Sequence, residues 1–171
     1  MPTYTVRLLR REEVAESTMS FYFDKPAGFQ FKPGQYLDCS LMDPSETDAE
    51  GNIRTFSIAS APTEKDLMVA TRMRDTAFKR VLKRMSLGSQ LKIDGPLGSF
   101  TLHSNASRPA VFLAGGIGIT PFRSMIVNAA REGFTGASCS SIRTGVLKIA
   151  LSFKSCSRLE AGTRTTKRFA P

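Results

Sequence analysis

Turn chemistry recurs through the first hundred residues at intervals too short for helices. Lys25-Pro26-Ala27-Gly28, Lys32-Pro33-Gly34 and Asp43-Pro44 punctuate the chain, and the segments around them alternate. Tyr4, Val6 and Leu8 alternate with Thr5 and Arg7. Met19, Phe21 and Phe23 alternate with Ser20, Tyr22 and Asp24, and Leu37, Cys39 and Leu41 with Asp38, Ser40 and Met42. Successive side chains of a strand point to opposite faces, so this pattern puts one face in a core and the other in water. Further strand candidates are 54–61, 67–73 and 90–94. Six short strands at this spacing predict a mainly β chain built on a small antiparallel barrel, which removes exposed edges by closing on itself.

One helix interrupts the strands. Phe78, Val81, Leu82 and Met85 fall at i, i+3, i+4 and i+7, with Lys79, Arg80, Lys83 and Arg84 on the other faces, and Asp75 or Thr76 serves as its N-cap. After Pro109 the style changes. Ala110-Val111-Phe112-Leu113-Ala114 is a continuous apolar run, as in a strand buried on both faces of a parallel sheet. Glycines follow, then Thr120 as N-cap and Pro121 at the first helical position, with Phe122, Met125, Ile126, Ala129 and Ala130 at helical spacing. This is the opening strand–turn–helix of an α/β unit.

The expected organisation is a barrel over 1–104, the first βα unit of an α/β domain over 105–136, and a basic Ser/Thr-rich tail over 137–171. In that tail only Val146–Leu151 reads as a strand. Two readings of the tail stand: a disordered extension, or a stretch out of frame. Joining each codon's third base to the next codon's first two permits R-I-V-L-F-Y-S-N-R-R-P-E-D from Gly136 onward, which has the character of the strand and loop that should follow. The coding DNA decides between them.

Charge distribution excludes an obvious nucleic-acid surface. The net charge is +9, but residues 137–171 hold seven Lys or Arg against one acid, so most of the excess lies in the tail, without aromatic interleaving or a helical stripe of bases. The longest apolar run, Ala110–Ile119, is too short to cross a bilayer, and Met1–Arg10 lacks the apolar stretch of a secretory signal. A cytoplasmic protein without nucleic-acid or membrane partners is expected. Three cysteines and one histidine, scattered along the chain, give neither a disulfide framework nor a metal site. Cys39 falls on a strand as a core residue, and His103 in a polar stretch as a surface one.

Arg54-Thr55-Phe56-Ser57 carries the most chemistry. An arginine fork suits a pyrophosphate and a flat ring covers a conjugated cofactor, while an exposed arginine beside a core phenylalanine is the plainer reading. The helix start at Ala77, Phe78 and Lys79 offers free N–H groups and a positive dipole end to a phosphate, or simply caps the barrel. Gly115-Gly116-Ile117-Gly118-Ile119-Thr120-Pro121 is not the dinucleotide fingerprint, since Pro121 stands where its third glycine belongs. It reads as a tightly packed turn or as a close approach of backbone to a ligand.

Taken in order, Phe29-Gln30-Phe31-Lys32-Pro33-Gly34-Gln35-Tyr36, Arg54–Ser57, the helix after Thr76, Gly95-Pro96-Leu97-Gly98-Ser99-Phe100 and Gly115–Pro121 resemble the ferredoxin–NAD(P) reductase-like flavoproteins over roughly residues 1–136. The resemblance implies a Greek-key FAD-binding barrel, NAD(P)H as co-substrate, and a small one-electron partner such as ferredoxin. It implies that Arg54 holds the FAD pyrophosphate, Phe56 packs on the isoalloxazine or ribityl, and Ser57 bonds near the reactive nitrogen. The family's usual tyrosine is replaced by Phe56, which keeps the ring and loses a hydroxyl. Thr55, Thr71, Arg72, Ala77, Phe78 and Lys79 complete the implied cofactor contacts. The resemblance further implies that 105–136 is the truncated start of an NAD(P)-binding domain, in which Gly116, Gly118 and Thr120 face the nicotinamide nucleotide, and that Ser57 and Thr120 lie beside the reacting atoms. Poor turnover is expected, since the family's later motifs are absent. A non-catalytic flavin-binding module, a misfolded product of a disrupted gene and an FMN-using oxygenase reductase are the other readings.

Overall fold

The computed structural model describes residues 2–105, 110–132, 137–142 and 146–151. Six strands form the main sheet: β1 (Thr3–Ala15), β2 (Thr18–Asp24), β3 (Tyr36–Leu41), β4 (Ile53–Ser57), β5 (Asp66–Arg72) and β6 (Gln90–Leu97). Their order is β4-β3-β6-β1-β2-β5, with every neighbouring pair antiparallel. The alternating residues do what their period demands. Val6, Leu8, Phe21, Phe23, Leu37, Cys39, Leu41, Leu67, Val69, Leu91 and Ile93 all point into one core. The sheet curls without a complete ladder between its edges, β4 and β5. Instead, the chain just beyond β4 stitches onto β5: the Ala59 N–H donates to the Met68 carbonyl at 2.8 Å, and the Met68 N–H to the Ser60 hydroxyl at 3.0 Å. The result is a barrel with a seam.

Helix α1 (Ala77–Arg84) covers one end of the core with Phe78 and Leu82. Thr76 is its N-cap, accepting from the Lys79 N–H, and Lys83 and Arg84 complement the dipole in its last turn.

Two differences from the sequence reading concern β2 and the strand after Pro109. Ser20 and Tyr22, expected in water, are buried, because Tyr22 packs with Ala59, Met68 and Ala70 on the outer face of the sheet. The apolar run forms β7 (Ala110–Gly115), but only its Ala110, Phe112 and Ala114 face is covered. Helix α2 (Thr120–Arg131) supplies that cover: Phe122 stacks on Phe112 with ring centroids 4.6 Å apart, and Met125 and Ala129 join the cluster. Among the described residues β7 pairs antiparallel, not parallel, with β9 (Val146–Leu151), which in turn pairs with β8 (Ala137–Ile142). Both strands lie within the stretch read as a tail, and 152–171 lies outside the described residues. A 3-10 turn (Gly116–Ile119) precedes α2, so Thr120 is its first helical residue and not its cap.

Helix α2 is fastened to the barrel's seam. The Arg123 guanidinium donates to the Ala59 carbonyl (2.7 Å) and to both Glu64 carboxylate oxygens (2.8 and 3.0 Å), and the Ser124 hydroxyl donates to the Ser60 carbonyl at 2.6 Å. No helix among the described residues is long and apolar enough to cross a membrane.

Candidate functional site

The seam between β4 and β5 is where the two parts of the chain meet, and a cleft of about 400 Å³ opens there. Strand β4 contributes Arg54, Thr55, Phe56 and Ser57, β5 contributes Ala70 and Thr71, the connection into α1 contributes Arg74 and Thr76, and α1 contributes Lys79. Ile117 and Thr120 of the glycine-rich turn and Glu50 of the β3–β4 loop complete the lining.

Seven residues singled out in the sequence therefore line one cleft: Arg54, Thr55, Phe56, Ser57, Thr71, Lys79 and Thr120. Arg72, Ala77, Phe78, Gly116 and Gly118 lie outside its lining. Phe78 is in the core, its ring 5.9 Å from that of Phe56 and 5.3 Å from the Arg54 guanidinium. Phe56 is itself only 8% exposed, so most of its ring is spent on the core. The Arg72 carbonyl accepts from the Lys79 ammonium at 2.7 Å. Gly116 opens the 3-10 turn at φ +53°, and added side-chain atoms at Gly116 and Gly118 would meet open space.

The polar contacts are specific. The Arg54 guanidinium donates to the Glu50 carboxylate at 2.7 Å and to the carbonyls of Glu50, Gly51 and Ile53. The Thr55 hydroxyl donates to Asp38, and the Thr120 hydroxyl to the Ile117 carbonyl at 3.0 Å. Lys79 is pushed below the ordinary lysine range, first by burial and then by the charges of Arg74 and Arg54. Three cations sharing a partly buried cleft repel one another, and a multiply charged anion relieves that repulsion. Arg74 was missed in the sequence, although it stands in the same β5–α1 connection as the helix start.

Residues 5–102 match the family model of the oxidoreductase FAD-binding domain. The chain belongs to this family. FAD is the cofactor of the domain, and the cleft fits it on its own chemistry: three crowded cations beside a helix N-terminus form a cradle for phosphoryl charge. The FAD-binding domain here is 33% identical over 111 residues to the glycine betaine monooxygenase reductase subunit of Chromohalobacter salexigens, covering 63% of this chain and 29% of that protein. It is 33% identical over 136 residues to ferredoxin–NADP reductase B of Sorangium cellulosum, covering 76% of this chain and 53% of the relative. The chain thus spans between under a third and about half of these relatives' lengths. In fold it is similar to phthalate dioxygenase reductase (TM-score 0.60, 23% identity, 77% of this chain and 40% of that one). It is also similar to a ferredoxin NADP+ reductase from Neisseria gonorrhoeae solved with FAD and NADP (TM-score 0.55, 19% identity, 72% and 50%).

Proposed function

We propose that this chain is the flavin-holding part of a ferredoxin–NAD(P) reductase-type oxidoreductase, moving electrons between NAD(P)H and a one-electron acceptor protein such as a ferredoxin. The observation that carries the reading is the clustering of Arg54, Arg74 and Lys79 in one cleft of an FAD-binding domain, with Ser57 and Thr120 lining the same space. FAD, when bound, supplies the redox chemistry, linking two-electron hydride transfer to one-electron delivery. The chain's own residues bind and orient. The Arg54 fork and the N–H groups at the start of α1 take the pyrophosphate, helped by Arg74 and Lys79. Thr55, Thr71 and Arg72 support that end of the site. Ser57 and Thr120 stand beside the reacting rings, and Gly116 and Gly118 leave the backbone open to a nicotinamide nucleotide.

The relative named as a monooxygenase reductase subunit favours a second reading of the acceptor, a protein component of a monooxygenase.

The test is the visible spectrum of the purified chain with its released cofactor identified, followed by anaerobic reduction. Flavin bands, FAD in the extract, and bleaching by dithionite and by NADPH are expected. A colourless, folded chain that refuses added FAD sinks the site assignment.

A further inference from the structure

The best anion-binding donors at the cleft and its edge, Arg54 in the lining and the Ala77 N–H just outside it, are engaged by carboxylates of the same chain. Asp48 accepts the Ala77 N–H at 2.8 Å, at the first residue of α1, and its other oxygen faces the Arg54 guanidinium at 3.5 Å. Glu50 closes on that guanidinium at 2.7 Å. The two acids form one unit, since Asp48 also accepts the Glu50 N–H at 3.0 Å. These are the donors that would meet a phosphoryl group. A carboxylate and a phosphate cannot occupy one donor together, because two negative charges would stand in contact.

We propose, resting on the reading of the cleft as a flavin site, that Asp48 and Glu50 are built-in competitors that hold Arg54 and the start of α1 until a phosphoryl ligand displaces them. The Glu50 end of the segment is open to solvent. The Glu50 side chain is 65% exposed, and Gly51, at φ +73°, has open space around it. Asp48 is held below the ordinary carboxylate range, chiefly by the Ala77 N–H, so it competes as a full anion at neutral pH. Lys79, in contrast, donates to the neutral carbonyl of Arg72, which leaves its charge for the ligand. Selectivity follows. A pyrophosphate carries enough oxygens to replace both acids at once, at Arg54 and at the Ala77 N–H. A single small anion replaces one acid and is left facing the other. Asp48 and Glu50 are therefore specificity-determining residues that favour a diphosphate over simple anions.

Flavin-free chain is titrated with FAD by quenching of flavin fluorescence, with inorganic phosphate and inorganic pyrophosphate as competitors. Glu50→Gln and Asp48→Asn are expected to tighten FAD binding about three- to tenfold, as fits the loss of one partly exposed charge-assisted contact, and to make inorganic phosphate a better competitor. Glu46→Gln removes the same charge from the same loop, but Glu46 pairs with Arg80 and Arg84 outside the cleft. It should leave the FAD Kd within about twofold. In thermal melts the flavin-free Asp48→Asn chain should fall below wild type while the flavin-bound forms coincide, because the displaced carboxylate contributes nothing once FAD is in place. Unchanged or weaker FAD binding in the Glu50→Gln chain, or equal tightening by Glu46→Gln, overturns the inference alone. If Asp48→Asn does not fold, Glu50→Gln decides, since its exposed side chain carries little of the fold. A chain that binds FAD neither as wild type nor as either variant overturns the flavin reading and this inference together.

Discussion

At the residue scale, Gly34 shows how little room the junction between barrel and α2 leaves. Its φ is +98°, and an added Cβ would lie 2.0 Å from the Phe100 carbonyl oxygen and 2.2 Å from Met125 Cε. Gly34→Ala therefore combines a left-handed backbone with a clash against main chain, and is expected to destabilise by roughly 2–4 kcal/mol, read as a fall of several degrees in melting temperature. At Arg54 the prediction concerns geometry more than charge. The guanidinium serves five oxygens at once, which an ammonium cannot do. Arg54→Lys should weaken FAD binding about tenfold in a fluorescence titration and Arg54→Ala further, and equal affinity in Arg54→Lys would remove Arg54 from the site. Residue types alone pointed to Arg54 and Lys79, because a fork and a helix start each suit a phosphate, while Ser57 and Thr120 took their roles from the family resemblance. Asp48 and Glu50 gave no such signal. An acid in a polar loop looks like any solvated acid until the loop's path sets it against Ala77 N–H and Arg54.

At the scale of elements, α2 is held to the seam by charge as much as by apolar contact. Burial alone would raise Glu64, but hydrogen bonds from Arg123 and the Ala61 N–H, with the charges of Arg123 and Arg131, outweigh it and leave the carboxyl below its ordinary range. A carboxyl depressed in the folded state contributes stability that is present above its unfolded pKa and is lost as pH falls through the folded one. The fastening of α2 should therefore be intact at neutral pH and loosen below about pH 4, near the unperturbed carboxylate value. Glu64→Gln should remove that dependence at a loss of roughly 1 kcal/mol at pH 7. The figure is modest because Arg123 is 35% exposed and water screens the pair. Hydrogen exchange would locate the effect, with α2 amides faster in Glu64→Gln and β1–β2 amides unchanged. Uniform acceleration across both would make Glu64 a general structural residue. This fastening was not legible in the sequence, because Glu64 and Arg123 are far apart in the chain. Period-two alternation, in contrast, was enough to locate β1, β2 and β3, and a single i, i+3, i+4, i+7 set located α1.

At the scale of the whole molecule, the cleft lies where a nearly closed barrel leaves its seam and a second unit docks beside it, so the site's completeness depends on how that second unit is covered. The run Ala110–Ala114 is apolar throughout, and periodicity could not show which face would find a partner. In the structure α2 takes the Ala110, Phe112 and Ala114 face, while Val111 is 56% and Leu113 66% exposed on the other. Strand β8 was not readable at all, since Ala137–Ile142 is Ser-rich and has no alternation, and its pairing with β9 rests on backbone register. Two large apolar side chains at alternate positions of one strand make a sticky stripe, where one alone would be unremarkable. Val111→Thr with Leu113→Lys should cost less than about 0.5 kcal/mol in a denaturant titration if that face is open to water in the folded chain. The same change should lower concentration-dependent light scattering, because the stripe would no longer pair molecules. A loss above about 2 kcal/mol would mean instead that the two side chains are buried in solution. The covering layer would then come from this protein's own residues outside those described or from a second copy, and sedimentation of the unaltered chain at two concentrations would separate those sources.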